Sequence, residues 1–168
     1  MTVTNASSRT WELLGRGGSA ANEHAAIRPT KYNGLADPHG AEELGRGLAE
    51  GIRALAPAAI VIWEDPEDVA LGLIVGRELS LPVIRAYDAD GLVGHSAGLP
   101  AAPRVVLVAD AIRDGRVVRA AQALAEQQGG ALIGTAVLIE TPSLRESGAA
   151  AGTVIALVQS ADDADGAA

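Results

Sequence analysis

The chain has 168 residues, enough for one domain with a substantial core, and its 48% of hydrophobic residues include no Phe and only two Trp and two Tyr. That core must be built from Ala, Val, Leu and Ile. Thirteen Lys and Arg against 21 Asp and Glu give a formal net charge of −8; with no basic patch and no aromatic-rich stretch for stacking bases, this argues against a nucleic-acid partner. The absence of Cys excludes disulfides and Cys-ligated metals.

In chain order, residues 1–10 are rich in Thr, Ser and Asn and are expected to be disordered. "MTVTNASSRTWELL" lacks a basic segment followed by an apolar one, so it does not read as a secretory signal. "GRGGSAAN" (15–22) follows no predicted strand and lacks the Lys of a nucleotide-binding loop, which leaves it an ordinary loop. From Asp37, "DPHGAEELGRGLAEGIRALA" places Leu44, Leu48, Ile52 and Leu55 at helical spacing. "AAIVIW" (58–63) is the continuous apolar run of a strand covered on both faces. "PEDVALGLIVGRELS" then predicts a helix opened by Pro66 with acids in its first turn. A second strand is predicted at "LPVIRAY" (81–87) and a third at "RVVLVAD" (104–110). "GRVVRAAQALAEQQGG" predicts a helix with Val117, Ala121 and Leu124 inward, stopped by Gly129–Gly130. "ALIGTAVLIET" (131–141) and "GTVIALVQS" (152–160) supply a fourth and a fifth strand, and residues 161–168 are expected to be disordered. No apolar run approaches the length of a membrane span, so the expectation is a soluble, cytoplasmic protein without membrane contact.

Strands alternating with helices over 1–168 predict a single α/β domain, a Rossmann-like, doubly wound parallel sheet of about five strands. Ligands in such folds sit beyond the carboxyl ends of the strands, which directs attention to loops 64–68, 85–98 and 110–117. His24, His39 and His95 lack metal-ligand spacing, and no metal is assigned to them. "GHSAG" (94–98) has the form of a hydrolase nucleophile elbow, but no apolar strand leads into it and no helix follows.

Over roughly residues 30–142 the chain resembles the type I phosphoribosyltransferases, and within them the orotate phosphoribosyltransferase branch. The resemblance is carried by "KYNGL" ahead of the long helix, by "ALGLIVGRELSLPVIRAYDADG", and by "RVVLVADAIRDGRVVRAAQALAEQQGGALIGTAVLIE". It implies a small N-terminal hood over 11–35, a homodimer, and transfer of the ribose of phosphoribosyl pyrophosphate (PRPP) to a nitrogenous base with Mg²⁺. Laid on the family's phosphate-binding signature, Val105 to Val108 are the apolar run, Ala109 replaces its first acid and Asp110 keeps the second. Asp114 stands for its Thr, Gly115 is kept, Arg116 replaces its small residue and Val117 its final Ser or Thr. The resemblance thus implies Asp110 against a ribose hydroxyl, the turn from Ala111 through Arg113, Asp114, Gly115 and Arg116 to Val117 against the 5′-phosphate, and Arg85 on the pyrophosphate side.

The polar residues depart from that pattern. Asp114 sets a carboxylate against a dianion, which Arg113 and Arg116 either offset with guanidinium groups or ignore as partners for surface acids. Glu64, Asp65, Glu67 and Asp68 crowd the turn where the family meets pyrophosphate; two like charges 4 Å apart at an effective dielectric of 20 cost roughly 4 kcal/mol. The same four acids also read as a solvated helix start that complements the helix dipole. Ala86 and Asp90 stand where the resemblance implies Lys and His, and Lys31 is the only lysine of the chain. Two readings stay open: a PRPP- and Mg²⁺-dependent transferase of an unidentified base, or a descendant with weak or lost transfer that binds a phosphorylated ribose or nucleotide, or serves as an assembly module.

Overall fold

A computed structural model of the chain describes residues 3–4, 10, 12–14, 36–90, 92–96 and 98–159. The expectations for the loop 15–22, for "KYNGL", for the end segment 161–168 and for most of the hood 11–35 lie outside the described residues. Within the hood, residues 12–14 are helical, with Leu13 and Leu14 buried.

The chain forms a seven-stranded sheet of β1 (Val3–Thr4), β2 (Ala59–Trp63), β3 (Val83–Ala89), β4 (Leu92–His95), β5 (Arg104–Ala111), β6 (Ala131–Glu140) and β7 (Thr153–Gln159). Their spatial order is β1-β7-β6-β5-β2-β3-β4, parallel throughout except for the β3–β4 pair. The five predicted strands are its interior. The other two are short edge strands: Val3–Thr4, inside the segment expected to be disordered, pairs with Ile155–Ala156 of β7. The loop expected at 85–98 is largely a hairpin, because Ala89 pairs with Leu92 and leaves only Asp90–Gly91 between the strands. Asp-Gly is the favoured two-residue hairpin turn, and Asp90 takes the positive φ of 53° that such a turn needs.

Helices α1 (Pro38–Arg53) and α2 (Pro66–Leu79) cover one face, and α3 (Gly115–Gln127) with the short α4 (Pro142–Glu146) covers the other. In α1 the predicted stripe of Leu44, Leu48 and Ile52 is buried, with Leu55 partly buried beside it. Asp37 caps the helix by accepting from the Gly40 N–H at 3.0 Å. In α3 the fully buried residues are Val118, Ala121, Leu124 and Ala125, while Val117 is only partly buried. Ala121 and Leu124 thus face inward as predicted, while Val118 takes the place expected for Val117, in line with Ala121 and Ala125 on the 3.6-residue period. Among the described residues no helix is long and apolar enough to cross a membrane.

The chain runs outward from β2 to β3 and β4, then returns to β5 and continues through β6 and β7 on the other side. The direction of winding thus reverses between β2 and β5. At such a switch point the loops diverge and leave a crevice beyond the strand ends. Here those loops are 64–65, which leads into α2, and 112–114, which leads into α3.

Candidate functional site

Three carboxylates define the switch point. Asp110 stands at the end of β5 and is 3% exposed; Asp68, in the first turn of α2, is 6% exposed and accepts the Asp110 backbone N–H at 2.8 Å. Burial pushes the Asp68 carboxyl up to about 7, with the hydrogen bond from Asp110 opposing and the charge of Asp110 reinforcing the shift. Asp110 is itself held from two sides. Its Oδ1 accepts from the Ala111 N–H at 2.6 Å and from Arg113 Nη1 at 3.4 Å, and its Oδ2 accepts from Arg113 Nη2 at 3.1 Å. The third carboxylate, Asp114, is the N-cap of α3: Oδ1 accepts from the Arg116 N–H at 2.8 Å and Oδ2 pairs with Arg116 Nε at 2.5 Å. Both contacts hold its carboxyl below the usual carboxylate range, the backbone hydrogen bond most.

The helix start on the other side of the crevice is built the same way. Asp65 caps α2 by accepting from the Glu67 N–H at 3.2 Å. A helix N-terminus offers unpaired N–H groups and the positive end of the helix dipole, a ready seat for a phosphate. At both starts beside this switch point, the chain has placed a carboxylate of its own in that seat.

The predicted site residues are only partly brought together. Asp110, Ala111, Arg113, Asp114, Gly115, Arg116 and Val117 are contiguous around the α3 start, but Arg116 turns back onto Asp114 with 81% of its side chain exposed. Arg85 is an exposed side chain on β3, its guanidinium 6.0 Å from the Tyr87 ring centroid and its backbone N–H on Ser96 Oγ at 3.1 Å. Arg113 lines a cleft of ≈ 490 Å³ with Asp114, Gly115 and Arg119 of the α3 start and with Ser143, Glu146 and Ser147 around α4. Arg85 and Arg116 do not line it, so the three arginines do not converge on one cleft.

The α4 contribution was not read from the sequence. Thr141 caps α4 by accepting from the Leu144 N–H at 3.2 Å, and its hydroxyl donates to the Ile112 carbonyl. Ser143 Oγ donates to the Arg113 carbonyl at 3.1 Å. These two hydroxyls tie the turn after β5 to the turn after β6. The signal was the "ETPS" run, with Thr as N-cap and Pro as first helical residue.

Among the described residues no group of three or more His, Asp or Glu could hold by protein ligands alone the Mg²⁺ that the family resemblance implies. Asp110, the acid kept from the family pattern, carries Arg113 against both of its oxygens.

The fold is that of a type I phosphoribosyltransferase. No family model matches the sequence. The adenine phosphoribosyltransferase of Prochlorococcus marinus (strain MIT 9313) is 32% identical over 132 residues, which span 66% of this chain and 74% of that enzyme. Among solved structures, the adenine phosphoribosyltransferase of Rhodothermus marinus DSM 4252 superposes with a TM-score of 0.70 at 18% identity, covering 92% of this chain and 100% of the other. The Mycobacterium tuberculosis H37Rv orotate phosphoribosyltransferase, in complex with inorganic phosphate, gives 0.64 at 14% identity over 91% and 96%. That of Trypanosoma brucei adenine phosphoribosyltransferase, in complex with AMP, pyrophosphate and ribose-5-phosphate, gives 0.62 at 16% over 80% and 71%. The chain belongs to the type I phosphoribosyltransferase family.

Proposed function

We propose that this phosphoribosyltransferase homologue has weak or no transfer activity. The observation that carries the reading is the pair of carboxylate caps, Asp65 on α2 and Asp114 on α3, at the helix starts where the family resemblance implies pyrophosphate and 5′-phosphate. A substrate phosphate arriving at either start meets a negative charge where it needs donors. Arg113 adds to this by engaging Asp110, the group the resemblance implies for the ribose. Binding of a single phosphate group remains compatible with this reading, through Arg119, Ser143 and Ser147 in the cleft beside α3. In an active transferase, by contrast, Arg113 would have to leave Asp110 and Mg²⁺ would have to arrive with PRPP.

The test is calorimetric titration of the full chain with PRPP and Mg²⁺ at low and moderate salt, together with an assay for pyrophosphate release in the presence of adenine or orotate. The expected result is no binding heat at millimolar PRPP and no pyrophosphate. Micromolar, salt-sensitive binding accompanied by pyrophosphate release would establish an active enzyme and overturn the proposal.

A further inference from the structure

Arg119, in the second turn of α3, and Glu146, the last residue of α4, both line the cleft of ≈ 490 Å³ beside α3. Both are exposed, and neither makes a hydrogen bond or an ion pair among the described residues. The other charged groups of that cleft are engaged: Arg113 pairs with Asp110, and Asp114 with Arg116. What the cleft keeps for a ligand is therefore one guanidinium and one carboxylate that do not meet each other. Two hydroxyls stand with them. Ser143 Oγ donates to the Arg113 carbonyl at 3.1 Å and Ser147 Oγ to the Ser143 carbonyl at 2.9 Å, so each has used its one proton and retains lone pairs that accept from a ligand N–H. Gly115 leaves Arg119 and Ser147 open to the cleft. A Cβ there would lie 3.3 Å from Arg119 Nη1 and 3.1 Å from Ser147 Oγ, tight enough that both would have to give way.

We propose that this cleft takes a small zwitterion of the amino-acid class, its carboxylate on Arg119 and its ammonium on Glu146. The guanidinium offers a planar fork of N–H donors that matches a carboxylate in geometry and in charge. An ammonium brings three N–H donors, for which Glu146 and the Ser143 and Ser147 oxygens are the acceptors. An anion alone satisfies Arg119 and leaves those acceptors unmatched; a cation alone does the converse. The zwitterion also carries no net charge, so the chain's formal charge of −8 does not oppose its approach as it opposes that of an anion. The volume of the cleft is that of a small-molecule site. The inference rests on the reading that the site no longer serves PRPP, since it needs Arg113 and Asp114 to keep their partners.

The test is calorimetric titration of the full chain with glycine, β-alanine and γ-aminobutyrate at fixed ionic strength, with acetate, ethylamine and inorganic phosphate as controls. The three zwitterions differ in the spacing of their charges, so the best binder reports the separation of Arg119 from Glu146. It is expected to bind with a dissociation constant on the order of 1 mM or tighter, and acetate and ethylamine at least about tenfold more weakly. Arg119→Gln and Glu146→Gln should each weaken it about tenfold with the thermal midpoint nearly unchanged, because neither side chain has a hydrogen bond or ion pair to lose. No heat from any zwitterion overturns the inference, as does undiminished binding by either variant. Acetate or phosphate binding as tightly as the best zwitterion also overturns it, by making the cleft a plain anion site. The PRPP titration run in parallel separates the two readings. Silence from both PRPP and the zwitterions removes this inference alone, whereas PRPP binding with pyrophosphate release removes the reading beneath it.

Discussion

Asp68 on α2 accepts the backbone N–H of Asp110 on β5 at 2.8 Å, which joins the two halves of the sheet at the point where the winding reverses. The contact places one buried carboxyl directly beside another. It also uses a side chain of the first helical turn to satisfy a strand N–H beyond the last β2–β5 pair, Ile62 with Val108. Asp110, the acid that the family pattern keeps, is therefore anchored through its backbone by an acid from the first turn of α2.

The raised pKa of Asp68 makes this junction sensitive to pH. Its carboxyl titrates near 3.8 when unfolded and near 7 when folded, mainly because burial disfavours the charge. The protonated form favours the folded state, so this contribution is complete below about pH 4 and is lost as pH rises towards 7. The shift corresponds to at most about 4 kcal/mol. Asp68→Asn keeps an oxygen for the Asp110 N–H and removes the titration. Urea midpoints measured from pH 4 to 8 are expected to fall with pH more steeply in the native chain than in the variant. Parallel curves would show that Asp68 does not carry the dependence.

Close packing gives a graded prediction at three glycines. A Cβ on Gly72 would lie 2.3 Å from Ile62 Cγ2, a side-chain methyl with some freedom to shift, so Gly72→Ala should cost about 1–3 kcal/mol. On Gly130 it would meet the Pro103 backbone at 2.1 and 2.4 Å, which cannot yield locally, and Gly130→Ala should cost more than about 3 kcal/mol. Gly129 has open space around it but a φ of 71°, so Gly129→Ala should cost only about 1–2 kcal/mol. Thermal unfolding of the three variants reads this order directly.

The carboxylate caps predict a separable effect on anions. Asp114→Ala removes the acceptor for the Arg116 N–H and should lower the thermal midpoint, whereas Asp114→Thr, which keeps a side-chain acceptor at the cap, should lower it less. If the carboxylate itself is what excludes phosphate, Asp114→Thr should bind inorganic phosphate more tightly than the native chain at low salt. An unchanged phosphate titration would mean that Asp114 caps the helix without shaping the anion affinity of the site.

Much of the fold was legible because its central strands are buried on both faces and read as unbroken apolar runs, as in "RVVLVAD". Both edge strands escaped that signal. Val3–Thr4 is two residues long, and Leu92–His95 is exposed on both sides, so neither carries a run or an alternation to detect. The residues around Asp110 were found through the family resemblance, but the partners of the charged ones were not. Asp114 could as well have faced a ligand as its own helix, and only the backbone geometry at Arg116 decides it. The burial of Glu140, the last residue of β6, was hidden for a different reason: an acid closing an apolar strand looks like the return to solvent, and its burial depends on what packs over the strand end.

The Arg113–Asp110 pair provides the sharpest test of how far this site has moved from phosphate chemistry. Asp110 is 4% exposed at its side chain while Arg113 is 46% exposed, so the pair is anchored at the acid and screened at the base. Removing Arg113 takes the counter-charge from a buried carboxylate that lies beside Asp68; Arg113→Met should therefore destabilise the fold by about 1–3 kcal/mol. Asp110→Asn should cost less, because an amide needs no counter-charge and also relieves Asp68. In the double variant the loss of Arg113 should cost little beyond Asp110→Asn, giving a coupling of about 1–2 kcal/mol by denaturant titration. Additive losses would mean that Arg113 does not neutralise Asp110 in solution and stands free to meet a ligand.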